Sequence, residues 1–234
     1  MSFDSPGSGS GSVTLTRRLL RAGLTAGPLF VTVFLAEGAR RADYQPSRHP
    51  VSSLSLGRRG WVQAANFSAA GALCLAGAAG LSRSRDAIVG TRLVPALIGG
   101  AGVGLIFSAV FPTDPVGGYP PGTPDVLSVP SPTMTRHGIA GIPIFFGLPA
   151  AALACAWRFH RAGQPRWALY SAATAASTVV NLGLAGAGFN QAPRLANRAG
   201  LLQRASIISA FGWITAVCGR AIDTGTRTGT GTSA

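Results

Sequence analysis

Lysine is absent from this 234-residue chain and carboxylates are scarce: seven Asp and Glu stand against twenty basic residues, all of them Arg. Charged residues make up 12%, about half the quarter usual in soluble domains. A soluble protein of this size needs a polar shell, and these residues are too few to build one. The three cysteines, Cys74, Cys155 and Cys218, lie singly in different apolar runs without CxxC spacing. That excludes a disulfide framework and a zinc site and leaves buried thiols acting as apolar fillers. No segment alternates at period two, so a transmembrane barrel has no support. The three histidines, His49, His137 and His160, fall near the ends of apolar runs, and no HExxH spacing is present. Haem and metal sites are therefore not expected, nor is any other cofactor.

What the chain has instead is apolar length. Hydrophobic residues make up 47%, or about 61% with the 32 glycines, and mean hydropathy is +0.33. Six apolar runs follow one another at about 19–39, 61–81, 93–112, 137–157, 167–190 and 201–220. Each approaches the ~20 residues a helix needs to cross ~30 Å of hydrocarbon. The expected fold is all-α, an integral membrane bundle of six transmembrane helices over residues 17–222, with a Gly/Ser-rich tail at 1–16 and a C-terminal tail at 223–234 both expected to be disordered. Gly100/Gly104, Gly77/Gly80 and Gly183/Gly186/Gly188 offer small faces for close helix packing.

The +13 formal charge does not indicate nucleic acid, because the arginines come in twos and threes between apolar runs and form no stripe along which a phosphate backbone could be tracked. Arginines flanking spans fit anionic headgroups, which makes the lipid bilayer the expected partner. Their exclusive use fits a GC-rich bacterial genome. Thr16-Arg17-Arg18 ahead of an apolar run looks like a twin-arginine signal, but five further spans favour an uncleaved first helix. With cytoplasmic termini, inner segments hold eleven Arg and outer ones nine. The positive-inside rule thus favours, by a narrow margin, termini in the cytoplasm of a plasma (inner) membrane.

Parity adds a firmer constraint. With six spans, the loops after spans one, three and five lie on one side, and this side collects Glu37, His49, Ser52, Asn66, Asp114, His137 and Asn190. Such groups are costly in hydrocarbon, so they are expected to pair with one another or to line a wet cavity. Glu37 or Asp114 facing Arg136 or Arg198 would make a structural clamp, and Asp114 before Pro115 would equally start a turn.

Arg48-His49-Pro50-Val51-Ser52, Gly60-Trp61-Val62-Gln63-Ala64-Ala65-Asn66-Phe67, Phe111-Pro112-Thr113-Asp114, Gly118-Tyr119-Pro120-Pro121-Gly122-Thr123 and His137-Gly138 occur in this order. Together they resemble the membrane family called domain of unknown function 998, over nearly the whole chain. The resemblance implies a multi-span bacterial or archaeal membrane protein and carries no activity with it. Members often place further polar residues soon after the histidine, where Ile139-Ala140-Gly141 offers none; that weighs against catalysis.

The expected function is therefore that of a non-enzymatic membrane protein. Its outward-facing polar cluster would bind a small molecule, lipid headgroup or ion within a transport or sensing system. One alternative is an intramembrane enzyme acting on lipid, with His137 as base, Asp114 orienting it, and Ser52 or a metal-bound water as nucleophile. Another is a structural partner of a second membrane protein, docking through Ala175, Ala176, Ala185 and the neighbouring glycines.

Overall fold

The computed structural model describes residues 8–230 along the backbone and the side chains of 11–225. Its helices are α1 (Ser8–Arg40), α2 (Gly60–Ser82), α3 (Leu93–Val110), α4 (Pro132–Ile142), α5 (Leu148–Arg161), α6 (Pro165–Phe189) and α7 (Ala199–Thr230). A π-helical turn, Pro143–Gly147, joins α4 to α5, so the two form one span over Pro132–Arg161. The result is six helical spans, each long and apolar enough to cross a membrane. No strand occurs among the described residues.

The helix ends differ from expectation at both termini. α1 starts at Ser8 and α7 runs to Thr230, so helix extends past the 17–222 boundaries; residues 1–7 and 231–234 of the expected tails lie outside the described residues. Extending an existing helix costs far less than nucleating one, and hydroxyl bonds from Thr16 to the Ser12 carbonyl and from Thr224 to the Arg220 carbonyl run along these extensions.

Sequential spans are neighbours, and the last returns to the first: α1 packs on α2, α2 on α3, α3 on the fourth span, α5 on α6, α6 on α7, and α7 on α1. Glycine pairs set the closest approaches. A Cβ on Gly23 would lie 2.6 Å from the Gly77 Cα, and one on Gly71 would lie 2.6 Å from the Gly102 carbonyl oxygen. Backbones therefore touch between α1 and α2 and between α2 and α3, where lipid supplies little hydrophobic drive for association. At Gly104 a Cβ would overlap the Ala140 carbonyl, which brings α3 against α4. Gly183 and Gly186 meet nothing; that part of the α6 small face is unpartnered. Hydroxyl bonds connect α6 to α7 instead: Ser206 to the Thr178 carbonyl at 3.0 Å, Ser177 with Ser209 at 2.9 Å, and Trp213 Nε1 to Ser171 at 3.0 Å.

Phe30, Phe34, Phe67, Phe211 and Trp213 fill the centre, while Phe107, Val110, Ile139, Phe146, Leu153 and Leu169 face outward. Apolar side chains on the outside as well as the inside are what a lipid surround permits.

Candidate functional site

Three connections, 41–59, 111–131 and 190–198, interlock on one end of the ring, here termed the loop face. Arg204, 4% exposed near the start of α7, organises the first of them. Its guanidinium donates to the carbonyls of Pro46, His49 and Gly200 and to the Tyr44 hydroxyl, and it lies over the rings of Phe34 and Tyr44. No carboxylate pairs with it among the described residues; carbonyl oxygens and π faces carry its desolvation cost. Tyr44 donates onward to the Pro50 carbonyl at 2.9 Å, and the rings of Tyr44, His49 and Tyr119 pack together at 5.2–5.4 Å. Arg48 reaches the Gly117 carbonyl and Asp125, fastening the first loop to the second.

Beneath this roof lies a cavity of about 340 Å³, within the ~300–1,000 Å³ range of ligand sites. Its floor and walls are apolar: Phe30, Phe67, Leu105, Ile144, Phe145 and Ile207 among others. Its polar lining, Ser52, Thr113, His137 and Gln203 with Ser108, comes mostly from residues at or next to the roof. The π-turn shapes the opening. Pro143 has no N–H to continue the α-helical ladder, and the register shifts by one residue, as π-bulges do. α4 packs on α3, whereas α6 packs on the π-turn and α5. Gly138, Ile142 and Phe146 line the cavity from this span and are themselves exposed, so the cavity reaches the lateral surface of the bundle at this span, with Leu182 and Phe189 of α6 also in its lining.

The residues singled out in the sequence separate into groups. Ser52 and His137 both line the cavity. The His137 Nδ1 lies 2.7 Å from the Phe111 carbonyl oxygen; a carbonyl only accepts, so Nδ1 carries the proton and Nε2 the lone pair. Asp114 does not orient His137. Its carboxylate accepts from the backbone N–H of Ser131 at 2.8 Å and the Ser131 hydroxyl at 2.6 Å, and Ser131 in turn caps α4 through the Met134 N–H. Asp114 thus closes the 111–131 loop one residue from Thr113, which lines the cavity.

Asn66 is buried behind the Phe30–Phe67 wall and donates to the Phe30 carbonyl at 3.1 Å. His49 belongs to the roof; its Nδ1 accepts from the Gln45 N–H at 2.9 Å. Burial pushes its pKa below the usual histidine value, with the neighbouring Arg48 and Arg204 acting in the same direction. Glu37 stands apart, paired with Arg59 and Arg41, and Arg41 also holds the Leu54 and Leu56 carbonyls. That clamp uses neither Arg136 nor Arg198; Arg136 instead lies over the Phe111 ring. Asn190 is exposed and bonds its own helix at Gly186.

Sequence reasoning missed Gln203, whose Oε1 accepts from the Val51 N–H at 2.8 Å and so fixes Ser52 beside the cavity. The signal was present: Gln203-Arg204 is a polar pair inside an otherwise apolar run. Among the described residues no group of three His, Cys, Asp or Glu side chains is placed to hold a metal.

A family model described as a protein of unknown function (DUF998) matches residues 24–220, most of the chain. No curated protein and no solved structure matches.

Proposed function

The chain belongs to the DUF998 family of proteins of unknown function, and we propose that it is a membrane-embedded binding protein for an amphipathic, lipid-like molecule. The observation that carries this reading is the cavity itself. Its apolar walls reach the lateral surface of the bundle at the fourth span, and its hydrogen-bonding groups collect next to the roof. A tail would lie against Phe30, Leu105, Phe145 and Ile207. A small head would meet the Ser52 and Thr113 hydroxyls, the Gln203 amide and the His137 Nε2 lone pair. Entry from the bilayer avoids moving the roof. Binding without chemistry is the better reading, because the Asp114 carboxylate is taken up by Ser131 and His137 is oriented only by a backbone carbonyl. The excess of arginine on the terminal side supports cytoplasmic termini, with the roof on the outer face.

The test is a titration of the purified full chain with the fluorescent amphiphile 11-(dansylamino)undecanoic acid. Saturable binding is expected. Gly138→Trp, at a mouth position where an added Cβ meets nothing, should weaken it by about tenfold, on the order of 1.4 kcal/mol. Non-saturable uptake, or unchanged binding in the variant, would overturn the proposal.

A further inference from the structure

The opposite end of the ring, where α1 begins and α7 ends, holds a second cavity of about 300 Å³ between α1, the α2–α3 connection and the end of α7. We infer that this cavity binds the phosphate of an anionic phospholipid through Arg17, Arg83 and Arg85. All three line it, with Val13, Leu20 and Ile222 forming an apolar wall beside them.

Their convergence is built into the fold. A Cβ on Gly80 would lie 2.7 Å from the Leu20 N, so α1 and α2 touch just inside the cavity and bring Arg17 next to the 83–85 turn. The carboxylate closest in sequence, Asp86, is consumed. It is 4% exposed and accepts from the Ile88 and Val89 N–H groups, from Arg220 Nε at 2.9 Å and from the Thr224 hydroxyl. None of the three arginines has an ion pair among the described residues. Three permanent cations therefore line one concavity that has no carboxylate among its described lining residues. Guanidinium forks match phosphate oxygens in pairs. The apolar wall distinguishes a lipid from free phosphate, since an acyl chain would cover it and an inorganic ion would leave it wet. The level is also right. From Leu19 to Glu37, α1 rises about 27 Å, close to the hydrocarbon thickness, which puts Arg17 among headgroups.

The experiment titrates the purified full chain in detergent with dioctanoyl phosphatidylglycerol, dioctanoyl phosphatidylcholine and inorganic phosphate. Phosphatidylglycerol should bind saturably and more tightly than either of the others by about fivefold or more. The triple variant R17Q/R83Q/R85Q should lose about fivefold or more of that affinity. R158Q/R161Q/R166Q, which removes the same charge from the same face, should stay within about twofold. Equal losses in the two triples would reduce the effect to net charge and overturn the site. Phosphatidylcholine binding as well as phosphatidylglycerol would overturn it too, and inorganic phosphate binding as tightly would overturn the lipid assignment. If the triple variant is not folded, Arg83→Gln and Arg85→Gln singly should each weaken phosphatidylglycerol by about threefold, and no change in both would have the same overturning force.

Discussion

The His137 Nδ1 donates to the Phe111 carbonyl oxygen across a 2.7 Å contact that joins the first turns of α4 to the end of α3. This bond fixes the ring's tautomer and ties the start of the 111–131 loop to a residue that lines the cavity. His137→Ala should therefore have two effects. Loss of a part-buried hydrogen bond should cost about 1–2 kcal/mol of stability, read as a lower unfolding temperature. Affinity for the dansyl amphiphile should also fall severalfold, whereas Asn190→Ala, on an exposed helix end, should change neither.

Asp114→Ala removes the acceptor that holds both the N–H and hydroxyl of Ser131, and should cost about 1–3 kcal/mol. Because the two residues act as one fastening, Asp114→Ala and Ser131→Ala should couple by about 1 kcal/mol in a double-mutant cycle. Asp114→Ala and Glu37→Ala, with separate partners, should add within about 0.5 kcal/mol. Strong coupling of the second pair would show one shared network across the loop face.

Glu37→Ala removes the only carboxylate from a nearly buried guanidinium, since Arg41 is 9% exposed, and leaves it the Leu54 and Leu56 carbonyls as acceptors. Removing this carboxylate should cost about 1–3 kcal/mol. Arg59→Ala should cost less, because Arg59 is 54% exposed and solvent screens what it contributes. An equal or reversed order would contradict the clamp.

His49 sets a pH dependence. Burial lowers its folded pKa below the unfolded value near 6.5, so the unfolded chain binds more protons in the window beneath that value. Stability should then fall as pH drops below about 6.5, because a proton must be added beside Arg48 and Arg204. His49→Gln should flatten the slope in thermal unfolding between about pH 5 and 7; an unchanged slope would assign it elsewhere.

Reporter fusions at Ala234 and near Ser128 should report opposite sides of the membrane, since three of the six spans lie between them. The same side for both would break the six-span topology. Exchanged sides would reverse only the proposed orientation, with cytoplasmic termini.

Length and hydropathy were enough to read the six spans, because each apolar run exceeds what any other structure in the chain requires. Parity likewise placed Ser52, Asp114 and His137 on one face. Partner choice was not legible. The sequence places nine arginines on that face, and only the fold selects Arg59 and Arg41 for Glu37. Nor did it show that the fourth span changes register at Pro143, since a proline in a transmembrane helix specifies a local defect and not its form. Gly183 and Gly186 read as packing residues by spacing alone, yet they face open space; helix spacing does not say which side of a helix meets a neighbour.

Arg204 belongs to the last span, but the carbonyls it grips, Pro46 and His49, lie in the first loop. During synthesis the first loop emerges long before its organising cation exists. Until the sixth helix is inserted, Tyr44, His49 and their neighbours have nothing at their centre. The assembly order therefore runs backwards across the roof: the earliest connection to be made is the last to take its shape, and a chain truncated before residue 204 would display an unlocked face to whatever surveys incomplete membrane proteins.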